Sequence, residues 1–470
     1  EDPAHLPIFY PLIKQYTFQV PEFADFQLPN ISSSLQILSN NTNDDSTRYQ
    51  AAAPLISLLP FFSFQQFCEV ISAYLTFLDQ VIQKELKFPK QLIDLLNKIE
   101  FSLLQNEAID GIFDFLEEQL KTNKVPATLF IYAAFSDCLV NTDPGYAAPI
   151  SKHIIDNISK DPIHKIAAFY LLEKVSEPFR LIASIPSNLF PTVLPYLIDF
   201  SNEEVLYRAH KSVRAMISNK LLNNHQAVKA ILDQYPSYPV DKYHFFFKLL
   251  QKYLDKLEDI KLYLVQLLLD FVNETINSEN SFVRGKCLEI VSQLAAVDKF
   301  YVEDIYESCF DVAIRLLDTE HTSLTEVTNY FLMVDQTFPG SKVPIIHSKL
   351  PILADSLSNN EESKKSRMER AASLAAIIQN SKSFTNIVQT ISSFVISSLD
   401  QVAEAELFYI CSVVISLRTQ LTQEAAATIF SKLASMAKHE TNPPQLNAIL
   451  HTMKKILTKT DFGQDESSNI

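Results

Sequence analysis

The stretch LFPTVLPYLIDFSNEEVLYRAHKSVRAMI, Leu189–Ile217, decides the reading of the chain. Its first part is a proline-bearing apolar segment, Asp199 to Glu204 form an acidic corner, and a second segment places Val205, Ala209, Val213 and Ile217 at steps of four. Apolar residues at that period occupy one face of a helix, so the segment predicts two helices joined by a polar corner. Neither helix is long enough to bury its apolar face alone, and the unit therefore needs neighbours of its own kind.

Such neighbours recur. NSFVRGKCLEIVSQL, Asn280–Leu294, repeats the second half of the unit with Val283, Arg284 and Cys287 in the places of the valine, the basic residue and the small residue. Both stretches resemble the HEAT repeat, whose second helix opens with an acidic corner, a Val-Arg pair and a small residue four places after the valine. Taking the apolar opener of each second helix gives Ile163, Val205, Phe245, Val283, Val327, Met368, Leu407 and Leu446, with steps of 42, 40, 38, 44, 41, 39 and 39 residues. HEAT and armadillo units recur at roughly 40–47 residues. Four places on lie Ala167, Ala209, Leu249, Cys287, Phe331, Ala372, Cys411 and Leu450, and the small residues among them suit a close helix crossing. The resemblance implies an all-α, right-handed α-solenoid of stacked antiparallel helix pairs.

Outward from this array, residues 151–460 read as HEAT-like repeats and 49–150 as a helical N-terminal part of the same solenoid. Residues 1–48 read as an irregular proline- and aromatic-rich arm ending in the polar run SNNTNDDS, and 461–470 as a polar tail. The 470 residues include only five glycines, which disfavours hairpins and sheets, and 47% hydrophobic residues supply a large core. The uncharged stretches 49–68 and 181–198 carry prolines that would leave backbone groups unsatisfied in lipid, so no transmembrane span is expected.

Chemistry is sparse. The spacing of the glycines forbids a dinucleotide fingerprint, a phosphate-binding loop or a nucleophile elbow, and the ten histidines form no H-E-x-x-H. Five cysteines without a C-x-x-C pair read as reduced core thiols, and the sequons at Asn30, Asn40, Asn157 and Asn273 stand without a signal peptide. No catalytic, metal or cofactor site is expected. The run YHFFFKLLQKYL, Tyr243–Leu254, reads as a core stripe, and EESKKSRMER, Glu361–Arg370, as a charged corner.

A net charge of −15 disfavours nucleic acid as the main ligand. Within this acidic chain Arg208, Lys248 and Lys286 fall three places after three consecutive openers, with Lys211, Arg214, Lys252 and Arg284 on the same helices. Two readings stand side by side. The cations form a stripe that docks an acidic peptide or segment, or they are solvated or paired with corner acids, Arg284 within a polar ladder between units. The resemblance implies a non-enzymatic, intracellular scaffold or adaptor that binds other proteins on a concave surface, as a subunit of a larger complex. Nuclear transport receptors and adaptins share this look, as do chromosome-associated regulators of condensin type, which NSFVRGKCLEIVSQL resembles.

Overall fold

A computed structural model describes residues 28–99, 106–180, 188–255, 262–338, 340, 342–379 and 383–458. Among these residues there is no β-strand, and 22 α-helices alternate with short corners. The chain divides into two compact units, Glu1–Lys256 and Leu257–Ile470, a division inside the stretch read from spacing as one array.

In the first unit the helices are α1 (Leu28–Ser39), α2 (Asp45–Leu58), α3 (Phe64–Glu85), α4 (Lys90–Leu96), α5 (Asn106–Leu120), α6 (Val125–Thr142), α7 (Ala147–Ile158), α8 (Pro162–Phe179), α9 (Leu189–Val193), α10 (Glu203–Ser218), α11 (His225–Leu232) and α12 (Tyr243–Leu254). The even-numbered helices stack on one another in chain order, and odd-numbered partners such as α1 on α3 and α7 on α9 form a second layer. In the second unit α13 (Leu262–Thr275), α14 (Ser281–Val297), α15 (Tyr306–Arg315), α16 (Leu324–Thr337), α17 (Val343–Asp355), α18 (Lys364–Ile378), α19 (Thr385–Ser398), α20 (Glu404–Leu417), α21 (Gln423–Ala437) and α22 (Pro443–Leu457) repeat the arrangement, α14 to α22 forming the second-helix layer. This is the HEAT-type α-solenoid fold.

The acidic and polar corners start the second helices. Asp161 accepts from the backbone N–H groups of Ile163 and His164, Asn202 from Val205, Asn280 from Val283 and Ser363 from Ser366. Each side chain meets a donor that the first helical turn leaves unsatisfied. The openers Val205, Val283, Val327, Met368 and Leu407 are buried, as are the small residues Ala167, Ala209, Cys287 and Cys411. Phe245, Leu249 and Tyr253 of α12 are buried too, in the core stripe expected of that run.

Some expectations give way. Residues 28–39 form a helix inside the stretch read as irregular, because Pro29 stands in the first turn, where its missing N–H has no intrahelical partner to lose. The rest of the arm and the tail 461–470 lie outside the described residues. In α22 the buried set is Gln445, Ile449, Thr452, Met453 and Ile456, while Leu450 is 47% exposed, so the last repeat is out of phase by one residue with the opener Leu446. Adjacent Ile449 and Leu450 offer the period two phases, and packing takes the first. One helix among the described residues, Val125–Thr142, is long and apolar enough to cross a membrane, and 67% of that window is buried between its neighbours. Cys287, Cys309 and Cys411 are buried free thiols, and Cys68 and Cys138 are half-buried.

The tightest junction lies in the second unit. A π-helical turn, Leu316–Glu320, leads into a corner where His321 and Ser323 adopt left-handed backbone, and α14 passes so close that a β-carbon on Gly285 would stand 2.4 Å from Ser323 Oγ. Gly285 is required here for space, not for its own backbone angles. Gly285→Ala is expected to destabilise the protein by about 1–3 kcal/mol in urea unfolding. Adding Ser323→Gly, which removes the opposing atoms and suits a φ of 53°, should recover most of that loss.

Candidate protein-binding surface

Side chains on the second-helix layer meet one another about one repeat apart. In the first unit Lys211 Nζ of α10 lies 3.0 Å from Glu173 Oε1 of α8, and Lys242 Nζ at the start of α12 lies 3.1 Å from Glu203 Oε1 of α10. In the second unit Lys286 Nζ of α14 reaches Glu326 Oε1 of α16 at 2.9 Å, Asn329 Nδ2 of α16 donates to Glu369 Oε1 of α18 at 3.1 Å, and Lys364 Nζ of α18 lies 3.1 Å from Glu406 Oε2 of α20. These are steps of about 40 residues, so polar pairs tie α8 to α10 and α10 to α12 in the first unit, and α14 to α16, α16 to α18 and α18 to α20 in the second, as a ladder.

The predicted basic residues divide on this ladder. Arg208 is buried, its Nε 2.9 Å from the corner acid Glu204 and a terminal nitrogen 4.0 Å from Glu173, and its guanidinium lies 3.5 Å from the ring centre of Phe88. Arg208 and Lys211 thus share Glu173. Lys252 pairs with Asp255 at the end of its own helix at 2.8 Å, and Arg214 Nε donates to the backbone carbonyl of His210 at 3.4 Å. Lys248 is exposed and makes no ion pair among the described residues. In the second unit Arg284 pairs with Glu320 of the next corner, and Lys286 is held between Glu326 and Glu289, the latter at 2.7 Å. Burial works against the charge of Lys286, but the two carboxylates outweigh it and raise its pKa above the ordinary lysine value. Arg208 and Arg284 therefore serve the packing of the repeats, whereas Lys211 is part-exposed and Lys248 exposed.

The sequence does not single out Glu173 and Glu326, yet each stands about one repeat from a basic residue of opposite charge, a pairing that the register itself offers. Phe88 gives no such signal, because its neighbours come from three separate helices. Of the run Glu361–Arg370 read as a charged corner only 361–363 is corner, because Ser363 caps a helix that begins at Lys364. Arg370 therefore lies on α18, fully buried, meeting Ser356 and Glu362, and burial lowers its pKa to about 10. Among the described residues no group of three or more His, Cys, Asp or Glu could hold a metal ion.

The chain is similar in fold to solved structures. No protein-family model and no curated protein matches the chain. Among solved structures, Kap121p bound to Ste12p is similar over 97% of this chain and 52% of that one, with a TM-score of 0.61 and 12% identity. The karyopherin Kap121p bound to the SUMO protease Ulp1p is similar over 99% of this chain and 54% of that one, with a TM-score of 0.59 and 13% identity. The chain spans about half the length of these structures, and the likeness is one of fold.

Behind the cations sits His210, buried in α10. Its Nε2–H donates to the Leu197 carbonyl at 3.0 Å, and its Nδ1 has no hydrogen-bond partner among the described residues. Burial is the main cause of a pKa lowered to about 4, with Arg214, His244 and Lys248 adding like charge. The folded state thus binds fewer protons than the unfolded chain between about pH 4 and pH 6.5. The stability from neutral His210 is complete above that window and lost as pH falls through it, on the order of 3 kcal/mol. His210→Gln, which keeps a donor for Leu197, should flatten this part of the pH–stability curve in urea titrations.

Proposed function

We propose that the protein is a non-enzymatic, intracellular binding protein that holds an acidic segment of a partner protein along the second-helix layer of its first unit. The observation that carries this reading is the asymmetry among the cations. Arg208 is consumed by the fold, while on neighbouring helices of one layer Lys248 is exposed without an ion pair among the described residues and Lys211, paired on one side with Glu173, stays part-exposed. An α-solenoid layer offers an extended surface suited to peptides, and the exposed ammonium groups select its charge. The polar ladder fixes the spacing of the helices that display them. Lys252 lies on the same helix as Lys248 and adds to that charge, and Arg284 and Lys286 would act only in the second unit.

A carrier role in nuclear transport is the second reading, supported by the fold shared with Kap121p over 97% of the chain. It adds a cycle of loading and release to the same binding. A small GTPase retained on the immobilised protein in one nucleotide state would favour it over a fixed scaffold.

The direct test uses two fluorescein-labelled decapeptides, one rich in glutamate and one rich in lysine, titrated by anisotropy across a salt series. The glutamate peptide should bind more tightly, and its affinity should fall as salt rises. Lys211→Glu with Lys248→Glu should weaken it at least about tenfold and flatten the salt dependence, and Lys248→Glu alone, which breaks no ion pair among the described residues, should weaken it in part with an unchanged melting curve. Equal binding of both peptides, or no effect of the double reversal, would remove this reading.

A further inference from the structure

The turn between α3 and α4 crosses the second-helix layer in an unusual way. Leu86 ends α3 in left-handed backbone, at φ 52°, and is solvent-exposed, a conformation that a β-carbon disfavours and that glycine commonly takes at a helix end. Two residues on, Phe88 lies across three successive second helices. Its ring centre is 5.5 Å from that of Phe130 on α6 and 5.2 Å from that of Tyr170 on α8, and it stacks on the Arg208 guanidinium of α10 at 3.5 Å. Just beyond α4, Asn97 accepts a hydrogen bond from the Tyr170 hydroxyl at 3.3 Å. The same turn borders a cavity of about 510 Å³ lined by Asp45, Tyr49, Phe77, Val81, Lys87 and Phe88, so open space lies beside the ring as well as its seat.

We propose that Phe88 occupies, in cis, the seat of a partner's aromatic side chain, and that the acidic segment bound by this layer carries an aromatic residue that displaces it. The inference rests on the reading of the first unit as a surface for acidic segments. An aromatic ring fits because the seat offers two aromatic neighbours, one T-shaped at 73° and one tilted at 55°, and a guanidinium, which attracts a π-system. Carboxylates beside that ring fit because Lys211 and Lys248 stand on the helix that carries Arg208 and on the next one. Phe88 therefore selects among acidic partners, since a segment without a ring gains nothing by moving it.

The chain has no tryptophan, so Phe88→Trp introduces a single indole as a reporter in the seat. Two glutamate-rich decapeptides serve as probes, identical except that one carries a central phenylalanine and the other an alanine. In the free protein the indole should be shielded from iodide. The phenylalanine peptide should shift its emission to the red and expose it, while the alanine peptide binds more weakly and leaves it unmoved. Phe88→Ala, which empties the seat, should bind the phenylalanine peptide about tenfold more tightly than the parent and leave the alanine peptide unchanged. An indole quenched as freely as in water, or a phenylalanine peptide that binds by anisotropy without moving the emission, overturns the displacement and leaves the surface reading standing. If neither peptide binds the parent or the Phe88→Ala variant, the surface reading fails and the inference with it.

Discussion

A charge removed from water must be met by an opposite charge or by other polar acceptors, and along this helix stack the neighbouring helix supplies acids for several of the basic residues. That constraint organises the second-helix layer. Lys286 stands between Glu289 and Glu326, and Lys211 and Arg208 converge on Glu173. The pairs to Glu326 and Glu173 join helices one repeat apart, so they fix the register of those helices on one another while the apolar faces supply most of the burial. Small residues at the crossings, Ala167, Ala209 and Cys287, let the helices approach closely enough for these side chains to reach across.

Function follows from what the pairing leaves over. A cation already bound to two carboxylates has little to offer a partner, because docking would have to break a desolvated pair. An exposed ammonium such as Lys248, with no ion pair among the described residues, meets an incoming carboxylate at small cost in stability. The same logic applies to Phe88, a ring half-buried on charged and aromatic neighbours in a turn held by unfavourable backbone at Leu86, outside the regular packing of the core.

The fold was legible because its signals are local. The cap at Asn202, the opener Val205 and the small residue Ala209 lie within eight positions, and their recurrence at Asn280, Val283 and Cys287 exposes the repeat. Phase was harder where apolar residues adjoin, as at Ile449 and Leu450, since periodicity alone cannot choose between them. Pro29 reads as a breaker until its place in the first helical turn is known. The site was legible in part. The basic residues stand out by register, but whether Lys211, Arg284 or Lys286 is free depends on acids about 40 residues away, and only the stacking decides whether Glu173 reaches Lys211 or Glu326 reaches Lys286. The contact of Phe88 with α10 spans some 120 residues and leaves no trace in the pattern.

The account turns on the claim that charges one repeat apart key the helices to one another. A double-mutant cycle on Lys286 and Glu326, with Lys286→Met, Glu326→Gln and the double variant unfolded in urea, measures that coupling directly. A coupling of about 1–2 kcal/mol, with the double variant more stable than the sum of the single losses predicts, is the expected result. Additivity within about 0.3 kcal/mol would contradict it, leaving the pair as a neighbourly contact that plays no part in holding the repeats in register.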